Sequence, residues 1–207
     1  MIDLMNKKVL LLGPSKLAES DAISVNFNEF DYVVRFNLVL KCYELHNQPK
    51  TDIIFINQSS RNKLITEYNK NYQNRIILCK VPLANLANIY GSMCFKAIWN
   101  WKQFKKQFKL KSLYMGTFAI GYFLGKGCDV TYGGTDFYWT GFFDATNYPD
   151  NYEFVPSISG KECKKHSMAG DLRFIKNYFM EEYQGKLHLL PKTQYYFEKS
   201  LEKYGIV

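Results

Sequence analysis

One histidine, two asparagines and one tyrosine stand where chemistry could be done. His166 ends an irregular stretch and directly precedes Ser167-Met168-Ala169-Gly170-Asp171, which reads as a helix start with Ser167, and one turn later Asp171, as N-cap candidates. At that end the helix dipole favours the neutral imidazole. A neutral imidazole near pH 7 is what a general base requires. Asn37 and Asn57 each close an apolar run, DYVVRFN and TDIIFIN. An asparagine side chain presents donors and an acceptor together, which suits a nucleobase edge or ribose hydroxyls better than catalysis. Gly13 and Ser15 flank the proline that stops the first apolar run, KVLLLGPS, and Gly134, Asp136 and Tyr138 follow a later one, DVTYGGTDFY. Taken singly, His166 also reads as a surface loop histidine and either asparagine as a turn or cap residue. His46 lies in a polar loop, and His188, inside an apolar strand, reads as a satisfied core residue.

The elements that must position these residues follow from the apolar pattern. Residues 8–13, 31–37, 51–57, 75–80, 129–133 and 186–190 read as strands, several of them continuously apolar, as strands covered on both faces are. Helices are expected from Leu17 to about Val25, over much of 83–109, from Tyr114 to Leu124, from about Met168 to Tyr183 and from Lys192 to Tyr204. Strands alternating with helices predict a single α/β domain over 1–207, a Rossmann-like, mainly parallel sheet with helices on both faces. Residues 139–165 read as a long irregular segment, and loops of that length are often functional lids. In such a sheet ligands bind beyond the carboxyl ends of the strands, so the Gly13–Ser15 loop, Asn37, Asn57 and Tyr138 converge on one crevice.

Composition bounds the alternatives. The chain has 207 residues, 47% hydrophobic and 17% aromatic, enough for a full core without staples. Five cysteines at 42, 79, 94, 128 and 163, an odd number with no C-x-x-C pair, predict reduced thiols in a cytoplasmic protein. The apolar run of the first fifteen residues is too short for a signal peptide, and no uncharged stretch is long enough to span a membrane. There is no G-x-G-x-x-G and no Walker A motif, which disfavours a dinucleotide oxidoreductase or a P-loop NTPase. No Asp-x-Asp pair occurs, which disfavours a transferase built on a carboxylate-held divalent metal. Lys and Arg number 27 against 19 Asp and Glu, a formal charge of +8 that points to an acidic partner.

Together the segments VLLLGPSKLAE, FDYVVRFNLV, KTDIIFINQSS, LYMGTFAIGYFLGKGCDVTYGGTDFY and KHSMAGDLRFIKNYF resemble, in order, the bacterial sialyltransferases of glycosyltransferase family 42, with a fainter likeness to the sialyl motifs of family 29. The resemblance implies a GT-A-like domain, CMP-sialic acid as donor, inversion at the anomeric carbon, no metal and no other cofactor. It implies a glycan acceptor of the lipooligosaccharide or capsule type. Carried over by motif, His166 is the base that deprotonates the acceptor hydroxyl and Tyr138 contacts the departing phosphate. Asn37 and Asn57 are cytidine and ribose or phosphate contacts. Gly13, Ser15, Gly116, Thr117, Gly134 and Asp136 fall in the donor-binding loops. Tyrosine hydroxyls and a helix N-terminus can stabilise the phosphate of departing CMP without a metal. The chain departs from the family pattern at Leu12, where an Asn is usual, and at Met115, in place of the Ser of a Ser-Gly pair. A second lid tyrosine has no clear match; Phe142, Phe143, Tyr148 and Tyr152 lie in the region.

Three further readings stand beside this one. Residues 95–111, FKAIWNWKQFKKQFKLK, have helical spacing of apolar side chains with interleaved lysines. They fit a basic amphipathic helix on an anionic membrane, at the inner-membrane surface, or a core-facing helix with a solvated basic face. A divergent transferase using another CMP-activated acidic sugar fits the same motifs. A nucleic-acid-binding protein fits the charge and the aromatics, but no RRM, KH, zinc or helix-turn-helix signature is visible, so no nucleic-acid partner is expected. Homo-oligomerisation is left open by the sequence.

Overall fold

The computed structural model of the protein describes residues 2–13, 15, 19–36, 51–56, 76–79, 93–137, 141–143, 154–156 and 167–206. Seven strands form one sheet: β1 (Lys8–Leu12), β2 (Tyr32–Phe36), β3 (Ile53–Ile56), β4 (Ile76–Cys79), β5 (Met93–Lys96), β6 (Asp129–Gly133) and, at the edge, β9 (Leu187–Leu189). Two short strands, β7 (Gly141–Phe143) and β8 (Phe154–Pro156), pair antiparallel on their own. In the large sheet every pairing is parallel, in the order β5-β4-β3-β2-β1-β6-β9. All of Ile53–Ile56 and most of β1 and β2 are fully buried, which is why these runs show no polar alternation, with Arg35 of β2 the one buried charge among them.

The winding fixes where a ligand crevice opens. From β1 the chain steps outward strand by strand to β5, then returns to the other flank of β1 to lay down β6 and β9. The direction of winding therefore reverses between β1 and β6, and the crevice of a doubly wound sheet lies at that switch point. Both strands end in glycine-rich turns there.

Helices cover both faces. On one face lies α1 (Glu19–Ser24); α4 (Pro191–Lys203) begins there, where Leu190 packs with Leu10, Leu12, Phe27 and Val33, and runs on into the opposite core cluster through Phe197. On the other lie α2 (Met115–Leu124) and α3 (Met168–Phe174), over Val9, Leu11, Val34, Phe55 and Val130. The helix α3 runs on through a π-helical turn, Ile175–Phe179, into a last α-turn, Met180–Glu182.

The α/β class, the parallel sheet and the two-faced cover match expectation. Three local readings do not. The helix expected within 83–109 is absent over the described part, 93–109. Met93–Lys96 instead pairs with β4, and a 3₁₀ turn, Trp101–Phe104, follows. The reason is aromatic packing. Trp99 stacks on Phe174 at 5.9 Å, Phe104 lies 4.4 Å from Tyr178, and Phe108 lies 4.9 Å from Phe174. Gly121 in α2 leaves the room that the Trp99 ring occupies. These rings are wedged between two helices rather than lined along one, so a surface amphipathic helix at 95–111 is ruled out. The expected irregular stretch at 139–165 contains the β7–β8 pair. His188 is exposed on the edge strand β9, not in the core.

Candidate functional site

The strand-end residues named from the sequence divide into two groups. Gly13, Ser15, Gly116, Thr117, Gly134 and Asp136 are described. Asn37, Asn57, Tyr138 and His166 lie outside the described residues, each directly adjoining a described one.

Within the first group, Gly13, Ser15 and Gly134 meet at the switch point. The Gly13 N–H donates to the Gly133 carbonyl at 2.8 Å, and the Ser15 N–H to the Gly134 carbonyl at 2.9 Å. The two turns touch backbone to backbone. A Cβ on Gly134 would stand 2.5 Å from the Gly13 carbonyl oxygen, and a Cβ on Gly13 2.7 Å from that of Gly134. Gly134 also has φ +67°, in the left-handed region that glycine adopts freely. The Ser15 hydroxyl is buried and has no hydrogen-bond partner among the described residues.

Beyond Gly134 the backbone is tightly held. The Thr135 N–H donates to Thr193 Oγ1 in α4 at 3.3 Å, and the Phe137 N–H to Thr135 Oγ1 at 3.3 Å. Phe137, a bulky residue, has φ +50°, a conformation that persists only where its surroundings impose it. Its ring packs on Phe197 of α4 at 5.3 Å and edge-on to Tyr132 at 6.2 Å. Asp136, within this turn, is buried.

The start of α2 carries Gly116 and the buried Thr117. Tyr114, its N-cap residue, makes no side-chain cap. The cap comes from elsewhere: the Tyr114 N–H donates to Asp171 Oδ1 of α3 at 3.0 Å. Asp171 is therefore not an N-cap of its own helix. Ser167 is, accepting from the Gly170 N–H at 3.2 Å. The segment that follows His166 and the helix that holds Gly116 are thus tied by one hydrogen bond.

Tyr132 of β6 links the start of α2 to the turn that follows β6. A Cβ on Gly116 would overlap the Tyr132 hydroxyl, which is hydrogen-bonded to the Thr135 side chain. Burial pushes the Tyr132 phenol up to about 12, and the Asp136 and Asp171 carboxylates add to that shift. Tyr132 is therefore a neutral hydroxyl at any physiological pH. On the opposite face of the sheet Arg35 is buried, with its guanidinium 5.9 Å from the centre of the Phe27 ring. It stands two residues before Asn37. Among the described residues no three His, Cys, Asp or Glu side chains gather closely enough to hold a metal ion.

Tyr132, Arg35, Thr193 and Asp21, whose carboxylate accepts the Lys192 and Thr193 N–H groups at the start of α4, carry no mark in the sequence. Tyr132 and Arg35 sit inside apolar strands and read as strand residues. Thr193 follows Pro191 at a helix start whose N-cap position is Leu190, a side chain that cannot cap. That missing cap was a legible sign that a remote acceptor is required.

The strand order defines a doubly wound α/β fold whose topological switch point, the place where such sheets bind ligands, lies between β1 and β6. No family model matches the chain, and no curated protein matches it. In fold it is similar to the sialyltransferase CstII from Campylobacter jejuni. The structure of CstII in complex with the substrate analogue CMP-3FNeuAc superposes with a TM-score of 0.53 at 19% identity, over 89% of this chain and 81% of that one. The structure with cytidine-5'-monophosphate gives 0.55 at 18%, over 90% and 80%. The structure with a trisaccharide acceptor and CMP gives 0.51 at 16%, over 89% and 81%.

Proposed function

We propose that this chain is a metal-independent, inverting glycosyltransferase that moves sialic acid from CMP-sialic acid to a hydroxyl of a glycan acceptor. The observation that carries the reading is the fold likeness to CstII, whose solved complexes hold CMP, a CMP-sugar analogue and a trisaccharide acceptor. The glycine-rich switch point adds support. Gly13 and Gly134 let the two strand-end turns pack backbone to backbone at the point where a nucleotide and its phosphate would lie, and Ser15 brings a hydroxyl beside them.

In this reading His166 takes the proton of the acceptor hydroxyl. The acceptor oxygen forms its bond to the anomeric carbon from the face opposite the nucleotide. The bond to the phosphate oxygen breaks, CMP leaves with its electron pair, and Tyr138 donates a hydrogen bond to the departing phosphate. Asn37 and Asn57 orient the nucleotide. Gly116 and Thr117, at the start of α2, together with Gly134 and Asp136, frame the donor. The protein works in the cytoplasm on a lipooligosaccharide- or capsule-type acceptor.

Nucleotide-dependent stabilisation tests the donor class. Free CMP at about 100 times its dissociation constant stabilises the fold by roughly 2.7 kcal/mol. UMP and AMP at the same concentration are expected to shift the melting temperature much less. Equal shifts for all three contradict cytidine recognition. One observation favours a second reading. Leu12, where the resembled family has Asn, is buried against Leu10 and Val33 and offers the donor nothing polar. A different CMP-activated acidic sugar is then the substrate, and a panel of CMP-sugars distinguishes the two by which donor is hydrolysed.

A further inference from the structure

The positive charge of this chain is concentrated in one stretch. Residues 68–128 contain ten Lys and Arg and no Asp or Glu, so they hold +10 and the remainder of the chain −2. Part of that stretch is a built surface. Lys102, Lys105, Lys106, Lys109 and Lys111 are all exposed, on the 3₁₀ turn Trp101–Phe104 and the turns that follow it. Among the described residues none of the five side chains enters an ion pair or hydrogen bond. The turns beneath them are fixed by Trp99, Phe104 and Phe108, whose rings are held by Phe174 and Tyr178. Ile98, beside this anchor, is 70% exposed.

We infer that this face docks on an anionic lipid bilayer, with the lysines against headgroup phosphates and Ile98 entering the acyl boundary. Each cation near an anionic surface adds roughly a fivefold gain in affinity, and an apolar side chain at the boundary adds hydrophobic burial. The choice of lipid over nucleic acid rests on residue types. All five cations are lysines, point charges without the guanidinium fork. The anchoring rings of the segment turn inward, so they offer no stacking platform for bases. An exposed isoleucine has no counterpart on a phosphate backbone. The surface also has a definite place in the molecule. A Cβ on Gly170 would stand 3.1 Å from the Lys109 carbonyl oxygen, so the lysine turn abuts the start of α3, directly after His166. Docking there brings that helix start to the membrane plane, where a lipid-linked acceptor would be presented. The inference does not depend on the transferase reading.

The test is co-sedimentation of the full chain with phosphatidylcholine vesicles, with and without phosphatidylglycerol. The wild type is expected to bind the anionic vesicles, with affinity falling as salt is raised. The variant Lys102→Gln/Lys105→Gln/Lys106→Gln should bind on the order of 100-fold more weakly. Ile98→Ser should bind roughly tenfold more weakly. A control triple on other surfaces, Lys8→Gln/Lys192→Gln/Lys203→Gln, should lose far less. All of these side chains are exposed, and unchanged circular dichroism verifies folding. Equal binding to both vesicle types, equal losses for the two triples, or no loss in either test variant overturns the inference. So does lysine-dependent binding of single-stranded RNA without binding to anionic vesicles.

Discussion

The hydroxyl of Thr193 donates to Asp21 Oδ2 across 2.6 Å, tying α4, the last helix of the chain, to α1, the first. The same carboxylate accepts the Lys192 and Thr193 N–H groups at 2.8 Å each and so caps α4. Thr193 Oγ1 in turn accepts from Thr135, at the carboxyl end of β6. The relay therefore runs from Asp21 to the turn that carries Thr135 and Phe137. Asp21→Ala is expected to destabilise the fold by about 2–4 kcal/mol, because three donors lose a buried acceptor. For a domain of this size that is a fall in melting temperature of roughly 5–15 °C. A calorimetric scan checks it, and a loss below 1 °C contradicts the network.

The backbone contact at the switch point leaves no room for a methyl group. Gly134→Ala combines a left-handed φ with a 2.5 Å approach to the Gly13 carbonyl, and neither neighbour is a side chain that can swing away. It should cost about 2 kcal/mol or more and weaken stabilisation by CMP. Gly185, also left-handed at φ +72° but with nothing within 4 Å, is the control. Gly185→Ala should cost clearly less and leave the CMP shift intact. Equal effects at both sites contradict the claim that Gly134 is held by close approach.

Asp171 joins the two helix starts that flank the proposed chemistry. Removing its carboxylate leaves the Tyr114 N–H without its acceptor, at a cost of about 1–3 kcal/mol. In Asp171→Ala, amide exchange of residues 114–117 should accelerate roughly tenfold or more, while the α4 amides remain protected. Uniform acceleration along the whole chain would show that Asp171 stabilises the fold globally rather than the start of α2.

Alkaline pH tests the buried core. Burial pushes both the Cys128 thiol and the Tyr132 phenol up to about 12, from 9.0 and 10.0. The Cys128 thiol also donates to the Leu4 carbonyl at 3.0 Å. A raised folded-state pKa means that the unfolded chain loses its proton first. Stability is therefore full below pH 9 and falls as pH rises from about 9 toward 12, by at most about 1.4 kcal/mol per pH unit for each group. Cys128→Ala should delay the onset of the fall to about pH 10, read from urea denaturation at a series of pH values. An unchanged profile in that variant contradicts the assignment.

Much of this architecture is legible in the amino-acid order, and what is not has a physical cause. The runs VLLL and IIFI are apolar on both faces because helices cover both faces, and YVVRF departs from that pattern at the buried Arg35. Gly13 and Gly134 could be marked as strand-end glycines, and the winding order then makes them neighbours. The Asp21–Thr193 pair is separated by 172 positions, and only the return of the chain to the far flank of β1 brings its members together. Asp171 is an N-cap candidate by sequence, yet Ser167 caps that helix and the Asp171 carboxylate accepts from Tyr114 at the start of another. Residues 95–111 carried a helical period, but strand pairing at Met93–Lys96 and the pull of Phe174 and Tyr178 on three rings outweighed it. For Asn37, Asn57, Tyr138 and His166 the sequence remains the source of the reading.

The most direct measurement of the central claim is release of CMP from CMP-sialic acid in EDTA with a glycan acceptor, wild type beside His166→Ala. The account predicts turnover by the wild type that EDTA does not abolish, and a fall of roughly 100-fold or more in the variant, the share that a positioned base contributes. No CMP release by the wild type with any acceptor contradicts the activity, and undiminished transfer by His166→Ala contradicts the role given to His166.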